Sequence, residues 1–160
     1  MKSLNELLTT KKEDIKRLPN IPPGLYRMRI EGHTIGDRGE MNEIISFRCK
    51  PIAAQEDVDA DELAALAFPI EQLNQRVEFW FSKDPDREAD NANQLANLDE
   101  FLDKLGIDAE GGESPMERLP MANNCEFVAQ VENQARKSDP NIIDDRIVKT
   151  FSLDDVTDLV

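Results

Sequence analysis

The sequence predicts a mainly β domain, and three observations carry that expectation. Five runs alternate apolar and polar residues with period two, one run between the third and fourth of them repeats leucines at helical spacing, and glycine and proline fall mostly between the runs. At 160 residues the chain has the usual size of one domain with its own core. Its 39% hydrophobic and 32% charged residues lie on the polar side of globular averages, but its alternation is one that disordered chains lack.

Residues 1–20 read as an N-terminal helix or arm. Ser3, Leu4, Asn5 and Glu6 have the spacing of a capping box, Leu4, Leu7, Leu8, Ile15 and Leu18 roughly follow one helical face, and Pro19 stops it. Ile21, Pro22, Pro23 and Gly24 are extended or turning and lead into a first strand at 25–30. Gly32, Gly36, Asp37 and Gly39 suggest a flexible connection to a second strand at 44–50, making a long-looped hairpin. Residues 53–73 form an acidic insertion with a short helix, for which Asp59 and Glu62 supply a cap. The third strand is 76–81. Leu95, Leu98, Leu102 and Leu105 then mark a helix ended by Gly106. After a loop with Gly111, Gly112 and Pro115, strands four and five follow at 125–131 and 146–151, and 152–160 is an acidic, apolar-tipped tail.

Strand, strand, strand, helix, strand, strand is the order of an OB-type fold, a five-stranded Greek-key barrel with its helix between strands three and four. The expected domain is therefore an OB-like barrel over 21–151 with a helical insertion. A β-sandwich with a covering helix is the competing architecture.

Several chemistries are disfavoured. The single His33 lies in a glycine-rich stretch without a nearby nucleophile. Asp57, Asp59 and Asp61 begin like a calcium loop, but Glu62 and Phe68 stand where that loop needs Gly and Glu. One histidine with two distant cysteines does not make an ordinary zinc site, and no phosphate-binding Gly-Lys loop is present. No catalytic residue, metal or cofactor is expected. Cys49 and Cys125 read as buried thiols of a reducing compartment. The first twenty residues contain no long apolar stretch, so the expected location is cytoplasmic, without a membrane partner.

The net charge of -14 argues against nucleic-acid binding until its distribution is considered. Residues 1–50 hold ten basic against seven acidic residues, 51–125 five against eighteen, and 126–160 four against eight. Alternation places Arg27, Arg29, Arg48 and Lys50 on the outer face of the first hairpin and Arg76 with Trp80 on the outer face of strand three, while Val77, Phe79 and Phe81 point inward. Arg136, Lys137, Arg146 and Lys149 extend that basic surface from the last hairpin. A positive groove with an exposed aromatic platform is how proteins of low sequence preference hold single strands. The plainer reading is a wet sheet face with Trp80 covering an opening of the barrel.

Pro22-Pro23-Gly24-Leu25-Tyr26 at the start of the first strand, the aromatic strand Val77-Glu78-Phe79-Trp80-Phe81, and the helix end Phe101-Leu102-Asp103-Lys104-Leu105-Gly106 resemble features of small phage-encoded single-stranded-DNA-binding proteins. The resemblance covers roughly 19–160. It implies sequence-nonspecific binding of single-stranded DNA in replication or recombination, in the cytoplasm of a bacterial host. It also implies an acidic tail, here Asp154, Asp155, Asp158, Leu159 and Val160, that recruits replication or recombination proteins. The insertion has no place in that pattern. The alternative is an acidic interaction protein or DNA mimic that engages a basic partner through the middle block. A small virion or assembly subunit is a third reading, and a homodimer is compatible with each.

Overall fold

In the computed structural model, which describes residues 2–14, 17–107 and 113–156, the chain forms one five-stranded antiparallel sheet with helices. Strands β1 (Gly24–Arg38), β2 (Asn42–Ala54), β3 (Gln75–Ser82), β4 (Glu126–Ala135) and β5 (Ile143–Phe151) pair in the order β3-β2-β1-β4-β5. The edge strands β3 and β5 approach one another but share no hydrogen-bonded ladder, so the expected barrel is not closed. Its gap is occupied from one side by the helix Glu88–Lys104: Val77 and Phe79 of β3, Phe101 and Lys104 of that helix, and Ile147 and Val148 of β5 line one cleft. Lys104 Nζ there donates to Thr150 Oγ1 at 3.4 Å.

Alternation builds the core. Tyr26, Met28 and Ile30 from β1, Phe47 and Cys49 from β2, Val77 and Phe79 from β3, and Phe127 and Val131 from β4 are buried together. Among the described residues, five α-helices accompany the sheet: α1 (Leu4–Leu8), α2 (Ala60–Ala64), α3 (Glu88–Lys104), α4 (Pro115–Arg118) and α5 (Leu153–Val156). The leucine stripe of α3, between β3 and β4, buries Leu98, Phe101 and Leu102 against the sheet. Phe101 is its centre, with ring centroids 5.2, 5.7 and 5.3 Å from those of Phe47, Phe79 and Phe127. Both cysteines are free; Cys49 is buried, with its thiol pushed up to about 12 by desolvation, and Cys125 is half-buried.

The α3–α4 junction is held by Arg118, which is fully buried. Its guanidinium donates to Asp99 and Asp103 of α3, each at 2.6 Å, and to the Ile107 carbonyl.

Two segments differ from their sequence expectation. The first hairpin is not long-looped: β1 runs through Gly32 and Gly36, paired with β2 down to Arg38 opposite Asn42. Continuous cross-strand pairing overrides glycine's weak strand propensity, and only Gly39, at φ 70°, is needed for the turn. The N-terminal helix is shorter than its leucines suggest. Ser3 caps α1 through Oγ, which accepts from the Glu6 N–H, but Leu4, Leu7 and Leu8 cover no core and stay exposed. A 3-10 turn follows at Lys12–Asp14, and the expected contribution of Ile15 lies outside the described residues.

The acidic insertion is clasped to the start of β1. The Asp57 carboxylate accepts from the Leu25 N–H at 3.1 and 3.2 Å. Gly24, at φ 141°, passes so close to Val58 that an added Cβ would stand 2.7 Å from its side chain. Asp59 caps α2, accepting from the Asp61 and Glu62 N–H groups.

Candidate functional site

A bulge decides which residues of β1 share a face. Before it, Arg27 and Arg29 point outward; the ladder shifts register between Ile30 and Gly32, so that Glu31 is extra and the outward set becomes Gly32, Thr34, Gly36 and Arg38. Three strands then align in rows on that face: Gly32, Arg48 and Arg76; Thr34, Ser46 and Glu78; Gly36, Ile44 and Trp80. A side chain added at Gly32 or Gly36 would meet nothing within 4 Å, so both glycines floor an open depression. It is lined by β1 from Gly32 to Arg38 together with Ile44, Ser46, Arg48 and Arg76.

This depression shares Arg38 and Arg76 with a larger groove of about 860 Å³. The groove runs between the outer face of β3, with Glu78 and Trp80, and the β4–β5 hairpin, with Arg136, Asp144, Asp145 and Arg146; Leu18, Pro19 and Asn20 close one side. Among the described residues, Arg38, Arg48, Arg76 and Arg146 form no ion pair. Trp80 is 44% exposed. Its indole N–H donates to Glu78 Oε2 at 3.1 Å, and the Arg38 guanidinium lies 5.8 Å from its ring centroid. The ring is thus held in one orientation with a cation beside it.

The far wall is fixed by two adjacent carboxylates. Asp144 accepts two bonds from Arg136, at 3.0 and 2.8 Å, and this pairing holds its carboxyl below the usual carboxylate range. Asp145 is half-buried, and desolvation raises its carboxyl even though Ile21 N–H, Gln75 Nε2 and Asn133 Nδ2 donate to it at 3.1, 3.2 and 2.7 Å. Asp145 thereby ties the segment before β1 to β3 and β4.

The ten basic and aromatic residues singled out from sequence are not all brought together. Arg48, Arg76, Trp80, Arg136 and Arg146 line the connected grooves, with Arg136 neutralised by Asp144. Arg27, paired with Glu126 at 2.9 Å, and Arg29, 3.7 Å from Glu31, lie before the bulge and outside both linings, as does Lys50, which faces Arg29 across the ladder. Lys137 sits exposed at the β4–β5 turn. Lys149 lies in the separate cleft beside α3, its ammonium 5.1 Å from the Phe151 ring centroid. Arg38 and the glycine floor were not singled out, because the stretch reads as a loop and the bulge reverses its parity.

Of the tail residues, Asp154 and Asp155 belong to α5, whose first turn is capped by Ser152 Oγ accepting from the Asp155 N–H at 3.2 Å. Asp158, Leu159 and Val160 lie outside the described residues. Among the described residues no cluster of His, Cys, Asp and Glu is arranged to hold a metal ion, and no helix is long and apolar enough to cross a membrane. No model of a known protein family matches this chain, and no curated protein matches it either.

Proposed function

We propose that the chain is an OB-type domain that binds single-stranded DNA without sequence preference, serving replication or recombination in a bacterial host cell. OB folds are partly open five-stranded barrels that hold oligonucleotides on the strand 2–3 face and on the loops joining strands 1–2 and 4–5. The observation that carries the reading is that the connected grooves draw on those three places: Arg48, Arg76 and Trp80 from β2 and β3, Arg38 from the first hairpin, and Arg136 with Arg146 from the last. The neighbour order β3-β2-β1-β4-β5, with α3 seated at the gap between β3 and β5, supports the same architecture.

In this reading Arg38, Arg48, Arg76 and Arg146 contact phosphates, and the exposed Trp80 ring stacks on a base. The glycine floor lets the strand approach the β1 backbone. The acidic tail recruits partner proteins. The acidic residues of the insertion and of α3 lie outside both groove linings, so their field disfavours contact of the DNA with those surfaces and favours the groove.

The test is titration of labelled oligo-dT at low salt and near 0.2 M, following anisotropy and Trp80 fluorescence together. Binding that weakens steeply with salt and quenches Trp80 fluorescence is expected, and Trp80→Leu, followed by anisotropy alone, should lose about tenfold or more of the affinity, since a stacked base is worth roughly 1–3 kcal/mol. Absence of binding at low salt would overturn this function and favour an acidic protein that engages a basic partner.

A further inference from the structure

The face of the β1–β2–β3 ribbon opposite the cationic groove is also open, but apolar. Ile35, Ile45 and Phe81 form its floor, α3 supplies Leu95, and α4 supplies Met116, enclosing a groove of about 380 Å³. Met116 is 66% exposed, and Leu95 and Ile35 are each about half exposed. A contiguous apolar depression of this kind marks an interaction surface more often than scattered exposed residues do. No cation stands in its lining; Glu43 does, Glu117 follows Met116, and α3 carries five acidic residues against Lys104 alone.

The same chain has an unpartnered apolar stripe of matching character. Leu4, Leu7 and Leu8 lie at i, i+3 and i+4 on α1, so they share one face, and Leu4 and Leu8 are 70% and 73% exposed. No core residue covers them. The arm that bears them is basic, with Lys2, Lys11, Lys12, Lys16 and Arg17 against Glu6, Glu13 and Asp14. An amphipathic helix with anchors at this spacing is what an apolar groove accepts.

We infer that the apolar groove binds the N-terminal arm of a second copy of this chain, with Leu4, Leu7 and Leu8 on Ile35, Phe81, Leu95 and Met116. Within one copy both surfaces are bare, so their mutual burial comes from exchange. Charge sets the pairing: a basic arm enters an acidic-rimmed groove. Each copy offers one arm and one groove, so reciprocal exchange closes as a two-fold dimer. The apolar groove lies on the other face of the ribbon from the cationic one, so this inference does not depend on the proposed DNA binding.

Sedimentation equilibrium of the full chain from about 5 to about 200 µM tests it, because an exchange dimer forms by mass action. The unmodified protein is expected to move from one to two chains per particle. Leu7→Glu with Leu8→Glu, and separately Leu95→Glu with Met116→Glu, should each weaken association at least tenfold while circular dichroism, and melting at concentrations where the unmodified protein is monomeric, stay unchanged, since all four positions are exposed. An equimolar mixture of the two double variants keeps one of the two arm–groove contacts, so it should associate more tightly than either variant alone and less tightly than the unmodified protein. A wild-type monomer at the highest concentration would overturn the inference. So would a dimer indifferent to both double variants.

Discussion

Between the bulge at Glu31 and the turn at Gly39, the paired strands β1, β2 and β3 present two faces built from alternate residues of the same backbone. One face carries Gly32, Gly36, Arg38, Arg48, Arg76 and Trp80, and the other Ile35, Ile45 and Phe81. The first is open, cationic and floored by glycine; the second is apolar and walled by helices. Period-two alternation usually separates a core face from a wet face. Here, at the margin of the core, where Ile45 and Phe81 pack against it and Ile35 is half exposed, it separates two grooves of different chemistry, and one extra residue at the bulge decides which side chains belong to which.

The largest expected effect breaks the apolar side alone. Arg118→Met removes the buried guanidinium that joins α4 to α3, leaving the Ile107 carbonyl without its donor and Asp99 and Asp103 without their partner. Because both carboxylates are more than half exposed and can turn to water, the cost should be about 2–4 kcal/mol in urea melts, below the upper range for broken buried pairs. Oligo-dT affinity of the folded fraction should stay within about twofold of wild type. A parallel loss of affinity would mean that the two faces are coupled through the ribbon.

Arg76→Ala makes the converse cut, at the residue shared by the two connected depressions. Affinity for oligo-dT should fall about tenfold and the slope of log affinity against log salt by about one, with stability changed by less than about 0.5 kcal/mol. An unchanged salt slope would remove Arg76 from the phosphate path.

What the sequence revealed and what it concealed divide along these same lines. Local alternation was sufficient to read the inward Val77 and Phe79, the outward Arg76 and Trp80, and the leucine stripe of α3. Nothing local announces that Glu126 neutralises Arg27, since the two are 99 residues apart. The pairing of Arg136 with Asp144 likewise becomes visible only when the register of β4 and β5 is known. Arg38 was hidden twice, by glycines that signal a loop and by a bulge that reverses the parity extrapolated from Arg27 and Arg29. The open barrel also depends on contacts remote in sequence, the seating of α3 against both edge strands.

Gly36→Val sharpens the contrast between floor and core with a smaller effect. Gly36 has an ordinary backbone conformation and open space where a side chain would stand, so the variant should fold with stability equal to or up to about 1 kcal/mol above wild type. Its methyl groups would nevertheless rise from the groove floor in the same row as Ile44 and Trp80, and oligo-dT affinity should drop about threefold to fivefold. An unchanged affinity in a well-folded Gly36→Val protein would show that no ligand backbone passes over β1.

The smallest effect concerns the groove's own acids, where neighbouring residues titrate in opposite senses. Asp144 is depressed, first by its hydrogen bonds from Arg136, so its stabilisation is present above the ordinary carboxylate range and is lost as pH falls through the lowered folded value. Asp145 is raised, first by desolvation, so its contribution is present below the ordinary range and is lost as pH rises through the raised folded value. From about pH 6 to about pH 4 Asp144 stays ionised, because its folded value lies below the ordinary range, while protonation of Asp145 favours folding, so these two acids should not lower the melting temperature over that span. In Asp144→Asn the clasp no longer depends on protonation, so this variant should melt slightly below wild type at neutral pH, with the gap narrowing on the acid side. Its Arg136 is uncompensated at every pH, so oligo-dT should bind it roughly twofold to threefold more tightly at neutral pH. Wild type should approach that affinity only below about pH 4, as Asp144 is protonated through its lowered value, a range in which neither thymine nor the phosphodiester titrates. If the two proteins bound equally at neutral pH, Arg136 would stand outside the strand's path and the cationic face would end at Arg146.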